Sequence, residues 1–146
     1  MKQSRYLRNF ARGAGLLLCG ASAFVLAPMA RGQEQVGRTV ASGTWSDGNW
    51  SNLNGGFSPP GAADTAYIGS FDGTFGWSAD ATVNLDSDVQ VSDVILGDGT
   101  SYGILTIDAG AKLVTGSMFI QSGSSLNVNG VLEFSDALYV GGGTIN

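Results

Sequence analysis

The feature that most constrains this chain is a short repeat of apolar runs. Val94-Ile95-Leu96-Gly97-Asp98-Gly99 aligns with Met118-Phe119-Ile120-Gln121-Ser122-Gly123, and again with Leu138-Tyr139-Val140-Gly141-Gly142-Gly143, at offsets of 24 and 20 residues. Leu105-Thr106-Ile107 matches Leu126-Asn127-Val128 at an offset of 21. One register ambiguity remains, because Ser92-Asp93 and Ser135-Asp136 fit an offset of 43 better than 44. A unit near twenty residues that carries three short strands cannot bury its inner face alone. Such units stack as coils and share a core, which makes the repeat the signature of a solenoid. Leucine-rich repeats share the period, but they need a helix or an Asn ladder in each unit, and neither is present.

The runs themselves are strand-like. Val, Ile, Leu and Thr alternate with polar residues over Val83–Leu85, Val89–Val91, Val94–Leu96, Ile104–Ile107, Leu113–Thr115, Met118–Gln121, Leu126–Val128, Val131–Phe134 and Leu138–Val140. Gly, Asp, Asn and Ser separate them, and no apolar i, i+3, i+4 pattern appears beyond the N-terminus. The expected class is therefore all-β, a parallel β-solenoid, with an antiparallel β-sandwich as the alternative. Alternation points Val94 and Leu96 inward above Met118 and Ile120, then Leu138 and Val140. Leu105, Ile107, Leu126 and Val128 line a second wall; Leu113, Leu132 and Phe134 line a third. Gly97, Gly99, Gly123, Gly141 and Gly142 are expected at corners that need positive φ. The same register leaves Ile95, Phe119 and Tyr139 stacked on the outside of one wall. That strip reads either as a side-chain ladder or as a contact surface for a glycan or another protein.

The N-terminus belongs to a different function. Lys2, Arg5, Arg8 and Arg12 precede a short apolar stretch from Gly13 to Ala27, followed by small residues at Ala30 and Gly32. Basic, apolar, then small is the order of a secretory signal peptide, so residues 1–32 are expected to be removed between Ala30 and Gln33. The apolar stretch is short for a membrane span. Cys19 falls inside it, so the exported part has no cysteine and no disulfide framework. Of the seven basic residues only Arg38 and Lys112 lie beyond residue 32, against all twelve acids, a net charge of −10. That balance argues against binding nucleic acid or anionic lipid, and favours solubility and divalent cations.

Residues 33–80 read as an N-terminal cap ahead of the repeating 81–146. The repeat does not extend into 43–80, which carries Trp45, Trp50, Phe57, Tyr67, Phe71, Phe75 and Trp77. An aromatic segment of this kind can cover the raw edge of a first coil. Trp45, Trp50 and Trp77 would otherwise form a carbohydrate platform.

Gly43-Thr44-Trp45-Ser46-Asp47-Gly48-Asn49-Trp50-Ser51, Pro60-Gly61-Ala62-Ala63-Asp64-Thr65-Ala66-Tyr67-Ile68, and the later Val-Ile-Leu-Gly and Leu-Thr-Ile runs resemble the N-terminal region of bacterial secreted and surface proteins with autotransporter-type β-strand repeats. The resemblance covers about residues 43–146. It implies a right-handed, pectate-lyase-like β-helix with a passive, surface-displayed role. The chain has no C-terminal translocator barrel or sorting anchor and stops at Gly143-Thr144-Ile145-Asn146, so it reads as truncated or as a fragment. Its last coil is expected to be an uncapped edge through which copies self-associate.

Chemistry is limited by composition. There is no histidine, which excludes Ser-His-Asp and Cys-His arrangements and ordinary zinc sites. No phosphate-binding or dinucleotide fingerprint occurs. A glycosidase needs two facing carboxylates, and the densest acidic group is Asp86, Asp88 and Asp93, with Asp80 and Asp98 nearby. A lyase of the kind the resemblance suggests would add a basic residue near calcium, and neither Arg38 nor Lys112 is close to that group in sequence. The expectation is a non-catalytic structural or adhesive protein; a module that binds or cleaves polysaccharide is the alternative. Asp86, Asp88 and Asp93 are the candidate calcium ligands, against carboxylates that simply cap turns. Partners are expected to be a polysaccharide or a cell-surface component.

Overall fold

The computed structural model describes residues 33–70 and 76–146. The signal-peptide expectation for residues 1–32, with Cys19, lies outside the described residues, as do Phe71 and Phe75. No helix occurs among the described residues. The strands are β1 (Gln35–Arg38), β2 (Ser42–Thr44), β3 (Trp50–Asn52), β4 (Thr65–Ile68), β5 (Ala81–Leu85), β6 (Val89–Gln90), β7 (Asp93–Leu96), β8 (Gly103–Ile107), β9 (Lys112–Thr115), β10 (Ser117–Gln121), β11 (Ser125–Val128), β12 (Val131–Phe134), β13 (Leu138–Gly141) and β14 (Thr144–Ile145).

They form three sheets. Sheet A has the order β13-β10-β7-β4-β1-β3, sheet B β14-β11-β8-β5-β2, and sheet C β12-β9-β6. From β4 onward the chain visits A, B and C in turn, so each strand pairs with the one three places away. Every strand–strand pairing is parallel except β1 with β3. That overturns the antiparallel sandwich, whose hairpins would join consecutive strands.

The register agrees with the repeat. Val94 pairs with Met118 and Met118 with Leu138; Leu105 pairs with Leu126. The Ser92 ambiguity resolves to 44, because Gly116 N–H donates to Ser92 O and Asp136 N–H donates to Gly116 O. Ser135-Asp136 therefore does not repeat Ser92-Asp93. The chain between paired strands shortens along sheet A, from Ala66 to Val94, Val94 to Met118, and Met118 to Leu138.

Alternation decides what is buried. Val94, Leu96, Met118, Ile120, Leu105, Ile107, Leu126 and Leu113 are all at most 1% exposed. Val128, Leu132 and Leu138 pack against this core while partly exposed. Two inward expectations fail in degree. Val140 and Phe134 keep the right face, paired with Ile120 and Thr115, yet are 49% and 46% exposed because β13 and β12 are edge strands among the described residues. Of the expected corner glycines, Gly97, Gly99, Gly123 and Gly142 have positive φ. Gly141 does not, since it sits inside β13.

Parallel pairing is present on both sides of residue 80. β4 pairs parallel with β7, and β2 with β5, so sheets A and B run straight through that boundary. What differs near the N-terminus is the antiparallel β3 and a set of buried tryptophans.

Candidate functional site

The tryptophans are core. Trp45, Trp50 and Trp77 are 2%, 0% and 6% exposed, which removes the carbohydrate platform they would have formed. Trp45 and Trp50 pack with ring centroids 4.9 Å apart, and Trp50 Nε1–H donates to Trp45 O at 2.8 Å. Beside them lies the buried guanidinium of Arg38, 5.2 Å from the Trp50 ring.

Asp47 supports this arrangement. Its carboxylate accepts both terminal nitrogens of Arg38, at 2.6 and 2.5 Å, and the N–H groups of Thr44 and Asn49. Arg38 also donates to Thr44 O at 3.1 Å. The guanidinium bonds of Arg38 hold the Asp47 carboxyl well below the ordinary aspartate range; partial burial opposes this and the Asn49 bonds add to it. The run from Gly43 to Ser51 is thus a turn wound around one carboxylate. Gly43 belongs to the same geometry: a Cβ there would lie 2.0 Å from Asp47 Oδ2 and 2.2 Å from Arg38 Nη2. The Pro60–Ile68 motif has a similar device. Asp64 is buried, accepts from Gly61 N–H at 2.8 Å and Glu34 N–H at 3.3 Å, and sets the entry to β4.

The outer strip of sheet A is formed as the register demands. Ile95 pairs with Phe119, and Phe119 with Tyr139. The Phe119 and Tyr139 rings stack at 4.7 Å, tilted by only 6°. The column continues further back than the sequence indicated. Tyr67 pairs with Ile95, and Gly37 pairs with Tyr67. Gly37 has no side chain to offer, and Trp77 fills the gap: its ring stacks on Tyr67 at 5.2 Å and its Nε1–H donates to Ser51 O at 3.0 Å. The column is therefore Trp77, Tyr67, Ile95, Phe119, Tyr139. Burial raises the Tyr67 phenol pKa, and the Asp93 charge adds to that. Trp77 is buried, Tyr67, Ile95 and Phe119 are half-buried, and Tyr139 is 53% exposed. Phe119 and Tyr139 each spend one ring face on the other.

The candidate calcium ligands have separate partners. Asp86, after β5, accepts from Ser46 Oγ at 3.0 Å. Asp93, in β7, accepts from Ser117 N–H at 3.1 Å, Ser92 Oγ at 2.9 Å and Gln33 Nε2 at 3.5 Å. Asp88 is exposed and borders a shallow depression with Val89, Gln90, Lys112 and Val114. Among the described residues no group of three or more His, Cys, Asp or Glu side chains is placed to hold a metal ion. The neighbouring acids bond to backbone: Asp98 accepts from the N–H groups of Thr100 and Ser101 within its own turn, and Asp80 from Tyr102 N–H, 22 residues on.

No family model, no curated protein and no solved structure matches the chain.

Proposed function

We propose that this is an exported, non-catalytic display protein whose described part is a right-handed parallel β-solenoid used for structural support or adhesion at the cell surface. The observation that carries this reading is the strand order: from β4 onward sheets A, B and C each take every third strand, in parallel register, over an apolar interior. Successive layers add length without adding a cleft, which suits a stalk or a display face better than an active site. The acids engaged in local and cross-strand hydrogen bonds and the absence of histidine favour the same conclusion. The sequence resemblance to secreted proteins with autotransporter-type repeats supports export, as does the basic, apolar, small order of residues 1–32.

The test is fractionation of cells expressing the full chain with a C-terminal epitope. The tagged product should leave the cytoplasm, lose its N-terminus between Ala30 and Gln33, and be accessible to added protease on intact cells. A product that stays inside the cell and still begins at Met1 refutes the reading.

A further inference from the structure

Two Asn-Gly pairs occur in the chain, Asn54-Gly55 and Asn129-Gly130, and the fold holds them differently. Both asparagines are exposed. Asn54 lies in the turn that leaves β3, and that turn is closed by its own residues. Gly55 N–H donates to Asn52 O at 3.1 Å, and Asn52 N–H donates to Gly56 O at 3.0 Å. The N–H groups of Asn54 and Gly56 donate to Asn52 Oδ1 at 3.0 and 2.7 Å. Gly55 has a φ of 78°, and a Cβ built on it would meet nothing within 4 Å. Asn129 lies between β11 and β12, against the bend that joins β8 to β9. Its N–H and that of Gly130 both donate to Ile107 O, at 2.9 and 3.1 Å, and Val131 N–H donates to Ala111 O at 2.9 Å. A Cβ on Gly130 would lie 2.3 Å from Ala111 O and 2.4 Å from Asp108 O.

We propose that Asn54 is a site of spontaneous deamidation through its own backbone, and that the bend beneath Asn129 protects the second pair. In the reaction the Gly55 amide nitrogen, its proton removed by hydroxide, attacks Asn54 Cγ. The N–Cγ bond forms, the Cγ–Nδ2 bond breaks, and ammonia leaves with a proton taken from water. The resulting succinimide adds water at either carbonyl and opens to aspartate or isoaspartate. Water is the only net co-reactant, and nothing is oxidised or reduced. A following glycine favours the attack, because it has no Cβ to shield the nitrogen and its dihedrals adjust freely. Ring closure requires the two residues to swing together, which opens the hydrogen bonds around them. At Asn54 those bonds stay within Asn52–Gly56, at an exposed turn where local opening is easiest. At Asn129 the same motion must detach the chain from Ile107 and Ala111, and backbone oxygens leave Gly130 no room to swing. Either product adds a negative charge in the shallow depression that residue 54 lines with Glu34. Isoaspartate also lengthens the main chain by one carbon and moves Gly56 N–H away from Asn52 Oδ1. The proposal goes beyond the display role and does not depend on it.

The test is peptide mapping by mass spectrometry of the purified chain after incubation at neutral and mildly alkaline pH, in buffer and in urea. In buffer the Asn54 peptide should gain the mass difference between a hydroxyl and an amino group and become a substrate for isoaspartyl methylation. It should do so at least about tenfold faster than the Asn129 peptide, a ratio that a small difference in local opening energy produces. The rate should rise with pH, since the attacking nitrogen must first lose its proton. In urea, where the bend no longer holds Asn129, the two rates should converge. Asn54→Gln should abolish the change in its own peptide and leave Asn129 as in the parent. Equal rates at the two sites in buffer overturn the proposal, and so does an Asn54 peptide that stays intact there. A ratio that persists in urea also overturns it, because the flanking sequence and not the fold would then set the difference.

Discussion

Removing the carboxylate of Asp47 tests how the N-terminal layer is held together. The Arg38 side chain is 0% exposed, and its charge is met by two bonds to Asp47, one to Thr44 O and the face of Trp50. Its Nε already lacks a partner. Asp47→Ala therefore leaves a buried cation with a single carbonyl, and breaking a buried pair from one side costs about 3–5 kcal/mol. That is a large share of the roughly 5–15 kcal/mol that holds a domain of this size folded. Adding Arg38→Met removes the stranded charge and should recover most of the loss. A residue of about 1–2 kcal/mol should remain, because the N–H groups of Thr44 and Asn49 still lack their acceptor. Urea titration with tryptophan fluorescence reads both variants, since Trp45 and Trp50 flank the pair. Asp47 also fixes the sign of a pH effect. Its folded pKa lies below the ordinary value of 3.8, so it contributes stability above that value and loses it as pH falls through the depressed folded pKa. Acid destabilisation below pH ~4 should be weaker in the double variant than in the parent. If Asp47→Ala costs less than about 1 kcal/mol, or the double variant is no more stable than the single, the buried-pair account fails.

Ile120→Asp places a carboxylate between Leu96 and Val140 in the interior of sheet A and should unfold the chain or make it insoluble, at a cost of several kcal/mol. Thr106→Asp, on an outward position, should melt close to the parent; equal melting of the two variants would invalidate the inside–outside assignment. Gly37→Ala would set a methyl 2.0 Å from the Trp77 ring and displace it, destabilising by about 1–3 kcal/mol and red-shifting emission. Combined with Trp77→Ala it should add little to Trp77→Ala alone, and full additivity in thermal melts would show that the two do not meet. Calcium should raise the melting temperature by no more than about 2 °C over chelator, given the separate partners of Asp86 and Asp93. A larger shift that is lost in Asp86→Asn with Asp88→Asn would restore the calcium site.

The strands from β5 to β13 were legible because period-two alternation survives in each, and their pairing followed from matching Val94, Met118 and Leu138. β1 was not legible. Gln35-Val36-Gly37-Arg38 has an arginine beside Val36 on its inward face and only Gln35 and a bare glycine on its outward one, so its alternation is concealed in both directions. Arg38 is buried only because Asp47 meets it, and Gly37 is covered only because Trp77 crosses from a loop forty residues on. Ladder contacts inside a regular register could be read from spacing. Contacts made by a loop reaching across strands leave no periodic trace, which is why Tyr67 and Trp77 were missing from the expected strip.

The shortening distance between paired strands of sheet A has a consequence for how such a chain can change. Register is fixed within the strands, where losing one residue from β10 would turn Phe119 inward and Ile120 outward. The corners obey no such rule, since segments of quite different length join the same walls. Asp98, Gly99, Thr100 and Tyr102 are exposed at one of them. A foreign segment spliced at that bend should be carried as an outward loop, with every wall residue keeping its place. Insertions and deletions are thus tolerated or rejected according to whether they fall in a bend or in a wall, and the bends are free to diversify while the walls stay in step.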